Sequence, residues 1–454
     1  MSLFTSWAFY IFVLSKYTSM KEISGFLVAA PGSGSGKTTV TLGLLRAIKN
    51  RGITVQPFKC GPDYIDTKYH DIASGNKSVN LDLFLSSEDH IKSLFLKYSL
   101  QSDVSIVEGV MGLFDGYDKM KGSSAEIAEK LNMPVVLVVN AKAMAYSAAP
   151  LLYGFKNFYK NVNILGVIFN FVSSESHYDY LKKACEDVGV EVLGYLPKDA
   201  NIEVPSRHLG LTLDKKYQFE EFADKIAVLT EKYIDIDKLL SVTKRKIETP
   251  EEHQKGLPSQ KLRIAVASDE AFNFVYHENI GHLERLGNVS FFSPLRDTEI
   301  PETDFIYLPG GYPELYLDVL SNNKSMINSI KGYIERGGKL LAECGGMMYL
   351  SSSIADNDGK EYTMVGVFNQ KATMQNMKLK LGYRQLEYNN IRLKGHEFHY
   401  STVEGDLDSI ARQYGAKGQA VDTKLLRYKN ALAGYTHLYW AEMDNVMDIF
   451  NILV

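Results

Sequence analysis

"FLVAAPGSGSGKTTVTLGLLRAIKNRG", residues 26–52, sets a Gly/Ser loop between an apolar, strand-like run and an amphipathic run of helical length. In such a loop successive backbone N–H groups and the helix N-terminus surround phosphate oxygens. The lysine reaches the outer phosphates, and the hydroxyl after it can sit on Mg²⁺. The strict G-x-x-x-x-G-K-[ST] pattern is not met, because Pro31 stands in place of its first glycine. Gly32, Gly34, Gly36, Lys37 and Thr38 nevertheless occupy the strand-loop-helix context that phosphate binding requires, which predicts an ATP site.

The surrounding sequence extends this unit. "VQPFK", "VSIVEG", "PVVLVVN" and "ILGVIFN" are short Val/Ile/Leu runs separated by amphipathic stretches, the pattern of a parallel sheet covered by helices on both faces. A doubly wound α/β domain is therefore expected over residues 20–241. "DVSIVEGVMGLFDG" ends its strand at Glu108, where a carboxylate faces the phosphate crevice, and "FKCGPDYID" adds Lys59, Asp63 and Asp66 after another strand. A lone carboxylate after a strand is commonly a turn residue. Acidic and hydroxyl groups at successive strand ends beside a phosphate loop point instead to a metal set of Thr38, Asp63 and Glu108.

The polar, proline-bearing stretch 242–260 has no apolar period and is read as a linker. A second α/β unit follows over 261–454, with "LRIAVASD", "VSFFSPL", "DFIYLPGGYPE" and "KLLAECGG" as strands. The region from "TMVGVFNQKATMQ" to "GHEFHYSTVEG" has a more antiparallel pattern. In "KLLAECGGMMYL", residues 339–350, an apolar strand runs into Cys344 with Gly345 and Gly346 behind it. A structural cysteine needs no glycines, whereas a nucleophile on a sharp strand-to-helix turn does, and a helix N-terminus there favours the thiolate. His437 in "LAGYTHLYW" supplies a base, and Gly310 and Gly311 in "YLPGGYPELY" supply backbone N–H groups for an oxyanion.

Composition sets the outer bounds. The chain has 454 residues, enough for two or three domains, and its net charge of −4 gives no general attraction to nucleic acid or membranes. Cys60, Cys185 and Cys344 are too few and too scattered for a disulfide framework and fit a cytoplasmic setting. The apolar opening, residues 1–19, lacks a basic n-region and a cleavage site and is too short to span a bilayer. Translation is expected to begin at Met20, leaving 1–19 as a mis-assigned extension.

The motifs "APGSGSGKTTVTLGLLRA", "FKCGPDYIDTKYH", "VEGVMGLFDG", "VPSRHLGL", "LPGGYPELY", "AECGGMMYL", "GHEFHYS" and "HLYW" together resemble the cobyrinic acid a,c-diamide synthase family over nearly the whole length from residue 23. The resemblance implies a dethiobiotin-synthetase-like ATP domain joined to a class I glutamine amidotransferase domain. It also implies amidation of the a and c acetates of a cobalt corrinoid through an acyl phosphate, in cobalamin biosynthesis. ATP, L-glutamine and the tetrapyrrole would be the partners and Mg²⁺ the cofactor, with a homodimer left open.

By the same resemblance Cys344 is the glutaminase nucleophile and His437 its base, and Tyr64, Asp66, Arg207 and His208 contact the macrocycle. Two positions depart from the pattern. Tyr439 stands where many relatives of the amidotransferase class place a glutamate, and Asn140 where an aspartate is expected. The same amidation on Ni-sirohydrochlorin or hydrogenobyrinic acid is an alternative of the same kind. A P-loop switch ATPase with no role for Cys344 is the alternative of another class.

Overall fold

The computed structural model describes residues 19–198, 213–249, 261–375, 377–388 and 390–450. Seven parallel strands of the first domain run in the order Val79–Leu81, Val55–Cys60, Val104–Glu108, Ser19–Ala29, Val135–Asn140, Ile164–Val172 and Glu191–Pro197. Along Ser19–Ala29 the side chains alternate between two cores. Phe26 and Val28 pack with the face that holds helix Lys37–Asn50, and Leu27 and Ala29 pack on the opposite face. Burial on both sides is why these strands are apolar without a break.

The stretch expected to be a linker is partly structure. Lys244–Thr249 forms an eighth strand, antiparallel to Ser19–Ala29, with Ser19 opposite Thr249 and Ser24 opposite Lys244. Its alternating Lys244, Lys246 and Glu248 suit an edge position that exposes charge. The rest of that stretch, 250–260, lies outside the described residues, as do residues 1–18 of the expected N-terminal extension, and Ser19 already opens the first strand.

The second domain holds a six-stranded sheet in the order Gly287–Phe292, Leu262–Ala267, Phe305–Leu308, Lys339–Glu343, Ala431–Gly434, Leu425–Tyr428. All neighbours are parallel except the last pair. The expected antiparallel region is present as the strands Lys380–Tyr388 and Ile391–His399, which carry His437–Tyr439 on one side. Phe368–Thr373 of that region pairs antiparallel with Thr402–Glu404 and, on its other side, parallel with Ser351–Ala355, which precedes the region.

The domains meet through an aromatic core. Tyr64, Phe84 and Leu85 of the first domain pack with Phe274, Tyr276 and Tyr439 of the second. Polar contacts ring it, including His90 Nε2 to Tyr439 Oη at 2.8 Å and Tyr383 Oη donating to Asp82 at 2.7 Å. Tyr439 is thereby committed to holding the domains together.

Candidate active site

The phosphate loop closes onto the N-terminus of helix Lys37–Asn50, with Gly36 at φ 90°, a conformation open to glycine. A Cβ on Gly36 would lie 1.9 Å from Asn170 Nδ2, and that amide also donates to Ser35 O at 3.1 Å. Asn170 therefore clamps the loop from the end of strand Ile164–Val172, a role that the sequence reading missed. Lys37 Nζ donates to the carbonyl of Met111, which sits at φ 50° in the segment after Glu108.

Behind the loop lies a buried ionic cluster. Thr38 Oγ1 donates to Glu108 Oε1 at 2.7 Å, Lys59 Nζ bridges Glu108 at 2.9 Å and Asp66 at 2.7 Å, and His70 Nε2 meets Glu108 Oε2 at 2.6 Å. Burial by itself would raise the Glu108 pKa, but the Lys59 charge and the hydrogen bonds from His70 and Thr38 hold it well below the usual carboxylate range. Burial also works against the Lys59 charge, and its pKa is nevertheless raised by Glu108, Asp66 and Asp63.

Of the expected metal set, Thr38 and Glu108 stand together. Asp63 does not join them by a hydrogen bond, since its Oδ1 accepts from the N–H groups of Ile65 and Asp66 at 2.8 Å. Among the described residues no group of three His, Cys, Asp or Glu side chains is arranged to hold a metal ion. The Thr38 hydroxyl and the Glu108 carboxylate are hard-oxygen donors of the kind that Mg²⁺ takes, and they are the residues that would hold it beside a bound nucleotide. Asp66, expected to touch substrate, is buried and turned towards Lys59. Asn140 Oδ1 accepts from Lys142 N–H at 2.9 Å in a local turn. Arg207 and His208 lie outside the described residues.

In the second domain Cys344 sits between strand Lys339–Glu343 and helix Gly345–Leu350 at φ 46°, ψ −107°, the strained corner expected of a nucleophile elbow. The glycines behind it are required by contact. A Cβ on Gly346 would meet Leu308 O at 2.3 Å, and one on Gly345 would meet Pro313 Cδ at 2.7 Å. Burial and then the Glu314 charge raise the Cys344 pKa, against the lowering effect of the bond from Gly345 N–H.

His437 is fully buried, and burial with the nearby His396 and His399 lowers its pKa to about 3, so the imidazole is neutral. Neither ring nitrogen has a hydrogen-bond partner among the described residues. Packing holds the ring instead. A Cβ on Gly310 would fall 2.2 Å from its Cε1, Tyr64 of the first domain packs on it with ring centroids 5.1 Å apart, and Phe274 follows at 6.2 Å. The Gly310 carbonyl accepts from the N–H groups of Asn273 and Phe274, which fixes this turn.

Glu343, beside Cys344, accepts from Leu438 N–H at 2.9 Å and Tyr307 Oη at 2.6 Å, and so ties the elbow to the strand of His437. Burial raises the Glu343 pKa to about 8. Between the domains a cavity of about 380 Å³ is lined by Asp63, Tyr64, Met111, Tyr117, Tyr383 and His396. Tyr64 thus touches both the cavity and the histidine.

Two family models match. Residues 26–211 fit the CobQ/CobB/MinD/ParA nucleotide binding domain, and residues 263–445 fit the CobB/CobQ-like glutamine amidotransferase domain. The chain is 43% identical to a cobyrinate a,c-diamide synthase of Caldanaerobacter subterraneus subsp. tengcongensis, over 91% of this chain and 94% of that one. It is 44% identical to the protein of the same name from Listeria innocua, over 93% and 97%, and 40% identical to that of Picrophilus torridus, over 94% and 98%. The chain belongs to the cobyrinate a,c-diamide synthase family. As a member it is a glutamine-dependent amidating ligase with a nucleotide-binding α/β domain and an amidotransferase α/β domain, as the sequence reading expected. Among the described residues no helix is long and apolar enough to cross a membrane.

Proposed function

We propose that this chain converts cobyrinic acid to its a,c-diamide with ATP and glutamine, in the cytoplasm, as a step of cobalamin biosynthesis. The observation that carries the reading is the contact of Tyr64 with His437. It sets the loop after Asp63, beside the nucleotide site, directly against the histidine of the glutaminase site.

At the glutaminase site the Cys344 thiol passes its proton to His437 and its sulfur attacks the glutamine amide carbonyl. The Gly310 and Gly311 N–H groups take the oxyanion charge, His437 returns the proton to the amide nitrogen so that ammonia leaves, and water, giving a proton to His437, releases glutamate from the thioester and restores the thiol. At the synthetase site an acetate oxygen attacks the γ-phosphorus of ATP and ADP departs. Ammonia then displaces phosphate from the acyl phosphate to give the amide. Lys37 binds the phosphates, and Lys59 holds Glu108 charged at the crevice. Mg²⁺, held by Thr38 and Glu108, would offset the phosphate charge.

Ammonia released to water would be protonated and lose its nucleophilicity, so the intervening cavity suits a protected passage. Tyr64 and Asp63, which line the cavity, are proposed to contact the macrocycle, with Asp66 acting through Lys59. Arg207 and His208 are proposed partners for its other carboxylates. The test is to incubate cobyrinic acid, hydrogenobyrinic acid and Ni-sirohydrochlorin separately with enzyme, ATP and glutamine. A mass change of two amidations on cobyrinic acid is expected, and that change on another macrocycle alone would overturn the substrate assignment.

A further inference from the structure

Neither ring nitrogen of His437 has a hydrogen-bond partner among the described residues, so the direction of the imidazole is set by the backbone that carries it. Strand His437–Tyr439 is the edge of its sheet. On the inner side Leu438 stands opposite Gly395, and on the outer side two side chains grip it in place of a further strand. Asn279 Nδ2 donates to Leu438 O at 2.8 Å, and Glu343 Oε1 accepts from Leu438 N–H at 2.9 Å.

Glu343 reaches further than this one bond. It ends strand Lys339–Glu343, its neighbour in the chain is Cys344, and its Oε2 accepts from Tyr307 Oη at 2.6 Å. Tyr307 lies in strand Phe305–Leu308, which runs straight into Pro309 and Gly310, and its ring packs edge-on against Trp440 with centroids 4.9 Å apart. One carboxyl thus joins the cysteine corner, the histidine strand and the strand that delivers the proposed oxyanion turn. Glu343, Tyr307 and Leu438 are all buried. A carboxyl there loses its hydration, a penalty that a leucine of similar size avoids, so packing alone does not account for Glu343.

We propose that Glu343 is the positioning residue of the glutaminase site: by holding the Leu438 amide and the Tyr307 hydroxyl, it fixes the His437 imidazole and the Gly310 turn relative to Cys344. It acts through those two residues and touches neither glutamine nor the reacting atoms. This assignment rests on the amidotransferase reading and adds to it the group that orients a histidine whose ring no carboxylate holds.

The test uses the full-length enzyme as wild type, Glu343→Leu, Glu343→Gln and Tyr307→Phe, each assayed for glutamate release from glutamine and for amidation from ammonium chloride. Leucine removes both bonds. Glutamine keeps an oxygen for the Leu438 N–H and turns an amide N–H towards Tyr307 Oη, which can accept it. In Glu343→Leu the glutaminase kcat should fall about 10²-fold, the effect of misplacing a reacting group by about 1 Å, while the glutamine KM and the ammonia rate stay within about threefold. Glu343→Gln should return kcat to within about threefold of wild type, and Tyr307→Phe, which keeps the Leu438 bond, should lose about tenfold. A Glu343→Leu kcat near wild type, a loss carried by KM alone, an equal loss with both nitrogen donors, or a Glu343→Gln as impaired as the leucine variant would each overturn the proposal. If Glu343→Leu fails to fold, Tyr307→Phe decides, and an unchanged glutaminase kcat there overturns it. A wild type that releases no glutamate would overturn the amidotransferase reading itself, and with it this assignment.

Discussion

Gly310→Ala presses on the histidine and alters the proposed oxyanion turn, both on the glutaminase side of the enzyme. The added Cβ would stand 2.2 Å from His437 Cε1, 3.0 Å from Nδ1 and 3.1 Å from Nε2. Carbon atoms rest at roughly 3.5–4.0 Å, so the ring must retreat by more than about 1 Å. It has little room, since Tyr64 packs on it and its backbone is paired opposite His396. A misplacement of about 1 Å in a reacting group costs on the order of 10²-fold in rate. Glutamine-dependent amidation should therefore fall about 10²-fold, whereas amidation from ammonium chloride should stay within about twofold. Overpacking should lower stability by about 1–3 kcal/mol, read from a urea midpoint. An unchanged glutamine rate would refute a catalytic His437, and an equal loss with both donors would refute the separation of the two sites.

Glu108→Gln should instead remove amidation with either donor, because the nucleotide site loses its fixed carboxylate, and turnover near wild type at saturating Mg²⁺ would refute the role. The same change leaves Lys59 buried with Asp66 as its remaining close carboxylate, a loss of roughly 3 kcal/mol measurable by denaturant titration. Cys344 should give an alkaline pH profile. Its pKa is raised, so the thiol is protonated at neutral pH, and iodoacetamide labelling without glutamine should climb about tenfold per unit from pH 7 to 9. A plateau below pH 8 would show a thiolate already formed.

The parts of the site legible in the sequence are those built from local geometry. Gly36 of the loop after the first strand and the two glycines after Cys344 leave marks because a left-handed turn or a close approach admits no side chain there. Long apolar runs revealed the doubly covered sheet because burial on two faces removes alternation. Lys244–Thr249 did not read as a strand, since a charged edge strand takes its stability from pairing with Ser19–Ala29, a partner far away in the chain. Asn170 and Glu343 escaped for a related reason: each acts through hydrogen bonds across the fold, and an Asn or Glu at a strand end has many ordinary uses. The support of His437 was least accessible. The carboxylate position is taken by Tyr439, which binds His90, while the ring rests on Tyr64 from the other domain.

The central claim is that Cys344 releases ammonia for a reaction completed elsewhere in the chain, and Cys344→Ala tests it most directly. The measurement is the ratio of glutamine-dependent to ammonia-dependent diamide formation in the variant and in wild type, at mildly alkaline pH with high ammonium salt. The account predicts that the ratio collapses to near zero while the ammonia rate persists, because no sulfur remains to form the thioester and the synthetase site is untouched. A ratio equal to that of wild type would contradict it and leave Cys344 a buried structural residue.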